Sequence, residues 1–151
     1  MSSPALLHTR EQFSLVAKAP FEIAWPLFGA DKERAWAPDW EPVFLWPEKA
    51  FDQEGMVFIV RQEEKKAVWV NTAFDRSARR IQYVYVTPDV VVTVITLKLM
   101  PDGDSTAVDV VYERTALTIA ANELVRGMAA GDRVADMQWS RQINTHLVNS
   151  S

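Results

Sequence analysis

The sequence predicts an α+β fold in which a curved, seven-stranded antiparallel sheet wraps around a long C-terminal helix, with two short helices after the first strand. Three observations predict it. Six strand-like runs follow one another between Val43 and Thr115 with only short, turn-forming segments between them, the pattern of an antiparallel meander. A further alternating run, Phe13, Leu15 and Ala17 against Ser14, Val16 and Lys18, stands near the N-terminus. After the last strand the period changes: Leu124, Met128, Ala135, Trp139 and Ile143 fall on one stripe when wound at 3.6 residues per turn.

The elements follow in order. The first strand stops before Pro20, which is suited to an opening helical turn because the amide it lacks has no partner there. Phe21, Ile23, Trp25, Leu27 and Phe28 continue that helix, and Pro26 must kink or split it. A second short helical piece spans Asp31 to Trp36 and ends before Pro38. Strands are expected at Val43 to Trp46, Met56 to Glu63, Ala67 to Asp75, Arg80 to Thr87, Val90 to Met100 and Thr106 to Thr115. Turn chemistry lies between them, at Glu64-Lys65, Asp75 to Arg79, Pro88-Asp89 and Pro101 to Asp104. Met56, Phe58 and Val60 alternate clearly, as do Ile81, Tyr83 and Tyr85, whereas Val90 to Leu97 is apolar on both faces. Arg126, Asp132, Arg133, Asp136, Arg141 and Asn144 form the polar side of the final helix, with Gly127 and Gly131 as the places to bend.

Length and charge narrow the function. A chain of 151 residues suits one domain, 1–151 with a structured core of about 11–148, burying roughly two thirds of its unfolded surface. Sixteen basic against twenty acidic residues leave a net charge of −4, which repels phosphate-rich partners, so no nucleic acid is expected. No cysteine and two isolated histidines argue against disulfides, thiolate chemistry and a zinc site, and neither metal nor cofactor is expected. No apolar run reaches membrane-spanning length, and Met1 to Arg10 contains no long apolar run, so the expectation is a cytoplasmic protein with no integral membrane segment.

The element order, the Ala19-Pro20-Phe21-Glu22-Ile23-Ala24-Trp25 segment, Trp36 to Trp40, Gly55-Met56-Val57-Phe58 and the closing Tyr112-Glu113-Arg114-Thr115 together resemble the START-like or SRPBCC superfamily of helix-grip proteins. That superfamily includes the birch pollen allergen type, lipid-transfer domains, and polyketide cyclases and dehydratases. The resemblance covers Phe13 to about Leu147 and implies a ligand cavity between sheet and helix. It does not name the ligand, because this fold serves many chemistries.

Six tryptophans and three tyrosines suit an aromatic-walled cavity as well as a filled core. The expected cavity residues are Trp36, Trp40, Phe58, Trp69, Tyr83, Tyr85, Tyr112, Arg114, Met128 and Trp139. Trp36 and Trp40 stand in the proline-broken segment Arg34 to Pro42, which the resemblance makes part of the cavity's rim and a gate to it. At the end of the last strand Tyr112 and Arg114 share a face and Glu113 takes the other. If the inner face is theirs, Arg114 holds a carboxylate or phenolate while Tyr112 donates its hydroxyl; otherwise Arg114 points outward or bonds the final helix. Tyr112, Glu113 and Arg114 are the catalytic candidates, Arg61 and Asn71 raise the same question of face, and His8 and His146 are poorly placed.

The expected function is binding of a small, largely hydrophobic molecule, aromatic, polyketide-like or lipid-like. One alternative is a polyketide cyclase or dehydratase using the same cavity. Another is a protein-interaction or chaperone-regulator domain, or a homodimer, for which outward Val16, Val57, Ile59 and Val86 would have to surface together.

Overall fold

The computed structural model describes residues 5–62 and 64–150. Strand β1 is His8–Ala17, β2 Val43–Trp46, β3 Val57–Gln62, β4 Lys65–Asp75, β5 Arg80–Thr87, β6 Val91–Asp102 and β7 Ser105–Ala116. They form one seven-stranded sheet in the order β1-β7-β6-β5-β4-β3-β2, every neighbouring pair antiparallel. Chain neighbours pair as hairpins from β2 to β7, and β1 joins the far side of β7. The segment between β1 and β2 therefore links the sheet's two edges.

That segment holds helix α1, Phe21–Ala24, then a 3₁₀ turn at Trp25–Phe28 and another at Lys32–Ala35. Pro26 sits at the start of the first 3₁₀ turn, where its missing amide costs least, and the predicted split occurs there. After β7 the long C-terminal helix runs as two consecutive segments, α2, Asn122–Arg133, and α3, Asp136–Asn149. The break falls at Val134 and Ala135 rather than at Gly127 or Gly131. Neither glycine would place a Cβ within 4 Å of another group, so neither is imposed by packing.

The helical stripe needs one correction. Val125, Ala129, Asp132 and Ile143 are buried, while Leu124 is half exposed. Hydropathy alone puts Asp132 on the wet side; the fold buries it because an arginine waits beneath the helix. Inside the sheet the core gathers Phe13, Leu15 and Ala17 of β1 with Phe58, Ile81, Ile95, Leu97, Val108 and Val110.

The alternation on the outer face brings Val57, Val70, Val84 and Val94 into one cross-strand row, and Ile59, Val68, Val86 and Val92 into the next. Val57, Ile59 and Val86 thus do lie together on the outer face. Val16 is on β1, across from Ala107, outside these rows.

Candidate functional site

Register assembles the inner face. One cross-strand row runs Phe58, Trp69, Tyr85, Thr93, Arg114, and the next runs Asn71, Tyr83, Ile95, Tyr112. Between these rows and the helices lies a cavity of about 350 Å³, at the small end of the roughly 300–1,000 Å³ range of small-molecule sites. Trp69, Tyr83, Tyr85, Tyr112 and Arg114 line it from the sheet, and Trp139 and Gln142 from α3. The segment before β2 closes it with Phe28, Glu33, Trp36 and Ala37 to Trp40.

Two expected cavity residues do not line it. Phe58 has no exposed surface, because the rings of Trp40, Phe44 and Trp69 pack on it. Met128 packs with the second apolar cluster around Val91 and Val125, and its sulfur lies 3.7 Å from an Arg114 nitrogen. Of the catalytic candidates, Glu113 is on the outer face, 3.7 Å from surface His8. Alternation along β7 sends it there as it sends Tyr112 and Arg114 inward. Arg61 is exposed. Asn71 is buried, and its side-chain amide approaches the Tyr83 hydroxyl without meeting hydrogen-bond geometry to any group of the described residues.

Trp36 and Trp40 are anchored walls. Trp36 is buried, donates its indole N–H to the Leu27 carbonyl at 2.6 Å, and packs edge-on against Phe28 and Trp139. Trp40 is half-buried, donates to the Ala30 carbonyl at 2.8 Å, and packs edge-on against Trp69. Trp69 in turn stacks on Tyr85 with centroids 4.4 Å apart. The irregular backbone lets each indole find a loop carbonyl while its ring faces inward, which one regular helix would not allow.

Arg114 is buried and fully directed. Its Nε and Nη2 donate to the two oxygens of Asp132 at 2.7 and 2.8 Å, a bidentate ion pair between sheet and α2. Its Nη1 donates to the Tyr85 hydroxyl at 2.6 Å and to the Thr93 hydroxyl at 3.1 Å. Arginine thus bonds the final helix and lines the cavity at once. Because the Tyr85 oxygen accepts from Arg114, its own proton is left to donate elsewhere.

Glu33 is the residue that sequence reasoning missed. Its amide donates to the Gly29 carbonyl at 2.8 Å, and its carbonyl accepts from Trp36 and Ala37 at 3.1 and 2.9 Å, so its backbone is held on both sides. Asp52, from the loop before β3, accepts from the amides of Asp31 and Lys32 at 2.8 and 3.3 Å and steadies the start of that 3₁₀ turn. Only glycine fits at position 29, since a Cβ there would lie 2.3 Å from the Asp52 carboxyl. Burial first, and the Asp52 charge second, push the Glu33 carboxyl up to about 8. Burial and then the Glu33 charge hold both the Tyr83 and Tyr112 phenols well above their usual range. Tyr83 donates to the Phe28 carbonyl at 2.9 Å.

The fold has known counterparts among solved structures. Norcoclaurine synthase from Thalictrum flavum superposes with a TM-score of 0.70 at 12% identity, over 95% of this chain and 88% of that one. XoxI from Bacillus cereus does so with a TM-score of 0.64 at 14% identity, over 95% and 96% of the two chains. DynU16, from the dynemicin biosynthetic locus, matches with a TM-score of 0.60 at 12% identity, over 94% of this chain and 48% of its own. The chain has the helix-grip fold. At these identities the likeness is one of fold. One structure of norcoclaurine synthase, with a TM-score of 0.70, is a complex with dopamine and hydroxybenzaldehyde. No family model and no curated protein matches the sequence.

Within this helix-grip cavity the one sequence signal for Glu33 is its place three residues before Trp36, on the same short turn. Among the described residues no three His, Asp or Glu side chains are placed to hold a metal ion. No described helix is long and apolar enough to cross a membrane.

Proposed function

We propose that the protein binds a small aromatic molecule in this cavity. The observation that carries the reading is the wall itself: Trp36, Trp40, Trp69 and Tyr112 present rings to a space sized for a small ligand. Among them the Trp69 indole N–H is buried and has no hydrogen-bond partner among the described residues. A buried donor left unpaired costs free energy, which a ligand oxygen placed against it would recover. The complex of norcoclaurine synthase with dopamine and hydroxybenzaldehyde supports an aromatic ligand for a protein of this fold. The test is a tryptophan-fluorescence titration with phenols and aryl ketones, on the wild type and on Trp69→Phe. The variant keeps an aromatic ring but loses the N–H, and is expected to bind about fivefold to tenfold more weakly. Unchanged affinity in a folded variant would remove the indole from the site, and no binding by any of these compounds would sink the aromatic reading.

Glu33 favours a second reading, turnover of the bound molecule by a cyclase- or dehydratase-type reaction. A carboxyl pushed up to about 8 inside a cavity is matched to proton transfer at mildly alkaline pH, where it begins to be freed of its proton. Tyr85, with its oxygen held by Arg114, has a proton to give to a ligand carbonyl while Glu33 accepts one from the neighbouring carbon. Glu33→Gln should then lower turnover by about 100-fold or more with affinity for neutral ligands largely kept. A variant that turns over at the wild-type rate would exclude Glu33 as the base.

A further inference from the structure

The charges around the cavity are unbalanced in one direction. Glu33 and Asp39 are its acidic lining residues and Arg114 its basic one. Asp132 neutralises Arg114 through both of its carboxylate oxygens, and with the Tyr85 and Thr93 bonds it engages four of the five guanidinium hydrogens. Asp39 stands exposed on the cavity's rim in the left-handed region, φ 63°. Glu33 receives no hydrogen bond or ion pair on its side chain from the described residues, and Asp52 beside it adds a second negative charge.

The groups that face Glu33 confirm this sign from each side. On its own turn Lys32 is exposed, and Arg34 is paired with Asp31. Asp52 comes from the loop before β3, Tyr83 from β5, and Tyr112 with the neutralised Arg114 from β7. Asp132 of α2 stands behind Arg114, and α3 contributes Trp139 and Gln142, which do not titrate. Among the described residues no cation answers the Glu33 carboxyl, and the rings of Trp36, Trp40 and Tyr112 share its cavity. Aromatic faces and a carboxylate together are the surroundings in which an ammonium group is held best.

We infer that the ligand selected by the cavity is an aryl-alkyl amine, its ring among the tryptophans and its ammonium on Glu33. The inference rests on the aromatic-ligand reading and deepens it. Burial pushes the Glu33 carboxyl up to about 8, so at neutral pH an ammonium seated on it must expel a proton. Amine affinity therefore climbs as pH rises toward about 8 and falls again as the amine itself loses its charge near pH ~10.

The experiment is isothermal titration of the intact protein with phenethylamine and with the near-isosteric phenethyl alcohol. It is run at about pH 6, 7 and 8, in two buffers of different ionisation enthalpy, which counts the protons released. Phenethylamine is expected to bind about tenfold or more tightly than the alcohol at the highest pH, with affinity rising several-fold per pH unit and a proton released. Glu33→Gln should abolish the preference, the pH dependence and the proton. Equal affinity for the two compounds at every pH would overturn the amine assignment and leave the aromatic cavity standing. Failure of both compounds to bind would overturn both. If the variant does not fold, the wild-type series alone still decides, because the alcohol is the neutral control.

Discussion

Replacing Asp132 with alanine lowers the free energy of unfolding by about 3–5 kcal/mol, the cost of leaving a buried arginine without its carboxylate. Arg114 and Asp132 side chains are only 9% and 8% exposed, so solvent cannot take over the lost bonds without opening the space between β7 and α2. Urea denaturation followed by far-ultraviolet dichroism measures the effect. Replacing both residues with leucine should recover most of the loss, because the apolar pair leaves no charge behind. A single-variant loss under about 1 kcal/mol would show that the pair contributes no more than a surface salt bridge does. Any alanine variant that stays folded should also gain affinity for aryl carboxylates, since the freed guanidinium lines the cavity.

Glu33→Gln raises the melting temperature above about pH 8 and leaves it nearly unchanged at about pH 5. The sign follows from the raised carboxyl. In the unfolded chain it titrates near 4.5 and in the fold near about 8, so the native state holds a proton over that window that the unfolded state has released. The stability it contributes is fully present below about 4.5 and is lost as pH rises through about 8. Glutamine is neutral throughout and escapes the loss. The limiting slope is about 1.4 kcal/mol per pH unit, trimmed by solvent reaching the half-buried side chain, and the gain at high pH should be several °C. Melting curves of variant and wild type that run in parallel from pH ~5 to ~9 would show that Glu33 titrates like a surface carboxylate.

The strands and their faces were legible because alternation is local. Phe13, Leu15 and Ala17, and Ile81 and Tyr83, announce which way they point by the polar or smaller residues between them, and all five are buried. Tyr112 and Arg114 were readable as sharing a face for the same reason. The side of the sheet was not readable, and Arg114 kept two possible roles until the helix was placed.

Spacing along a few neighbouring residues was enough for the seven strands, the split at Pro26 and the helical ending, and composition alone showed the aromatic content. Long-range packing settled everything else. Register set Trp69 beside Tyr85 and Arg114 beside Thr93, although residues so paired lie 16 to 21 positions apart. It also buried Asp132, which hydropathy places in water, because a bidentate partner 18 residues away offsets the desolvation of its charge. Above all it turned Glu33 inward. On a short 3₁₀ turn a glutamate reads as solvated. Only the fold, by setting Asp52 against the same turn and closing the aromatic wall over it, makes that carboxyl an unpaired acid inside a cavity.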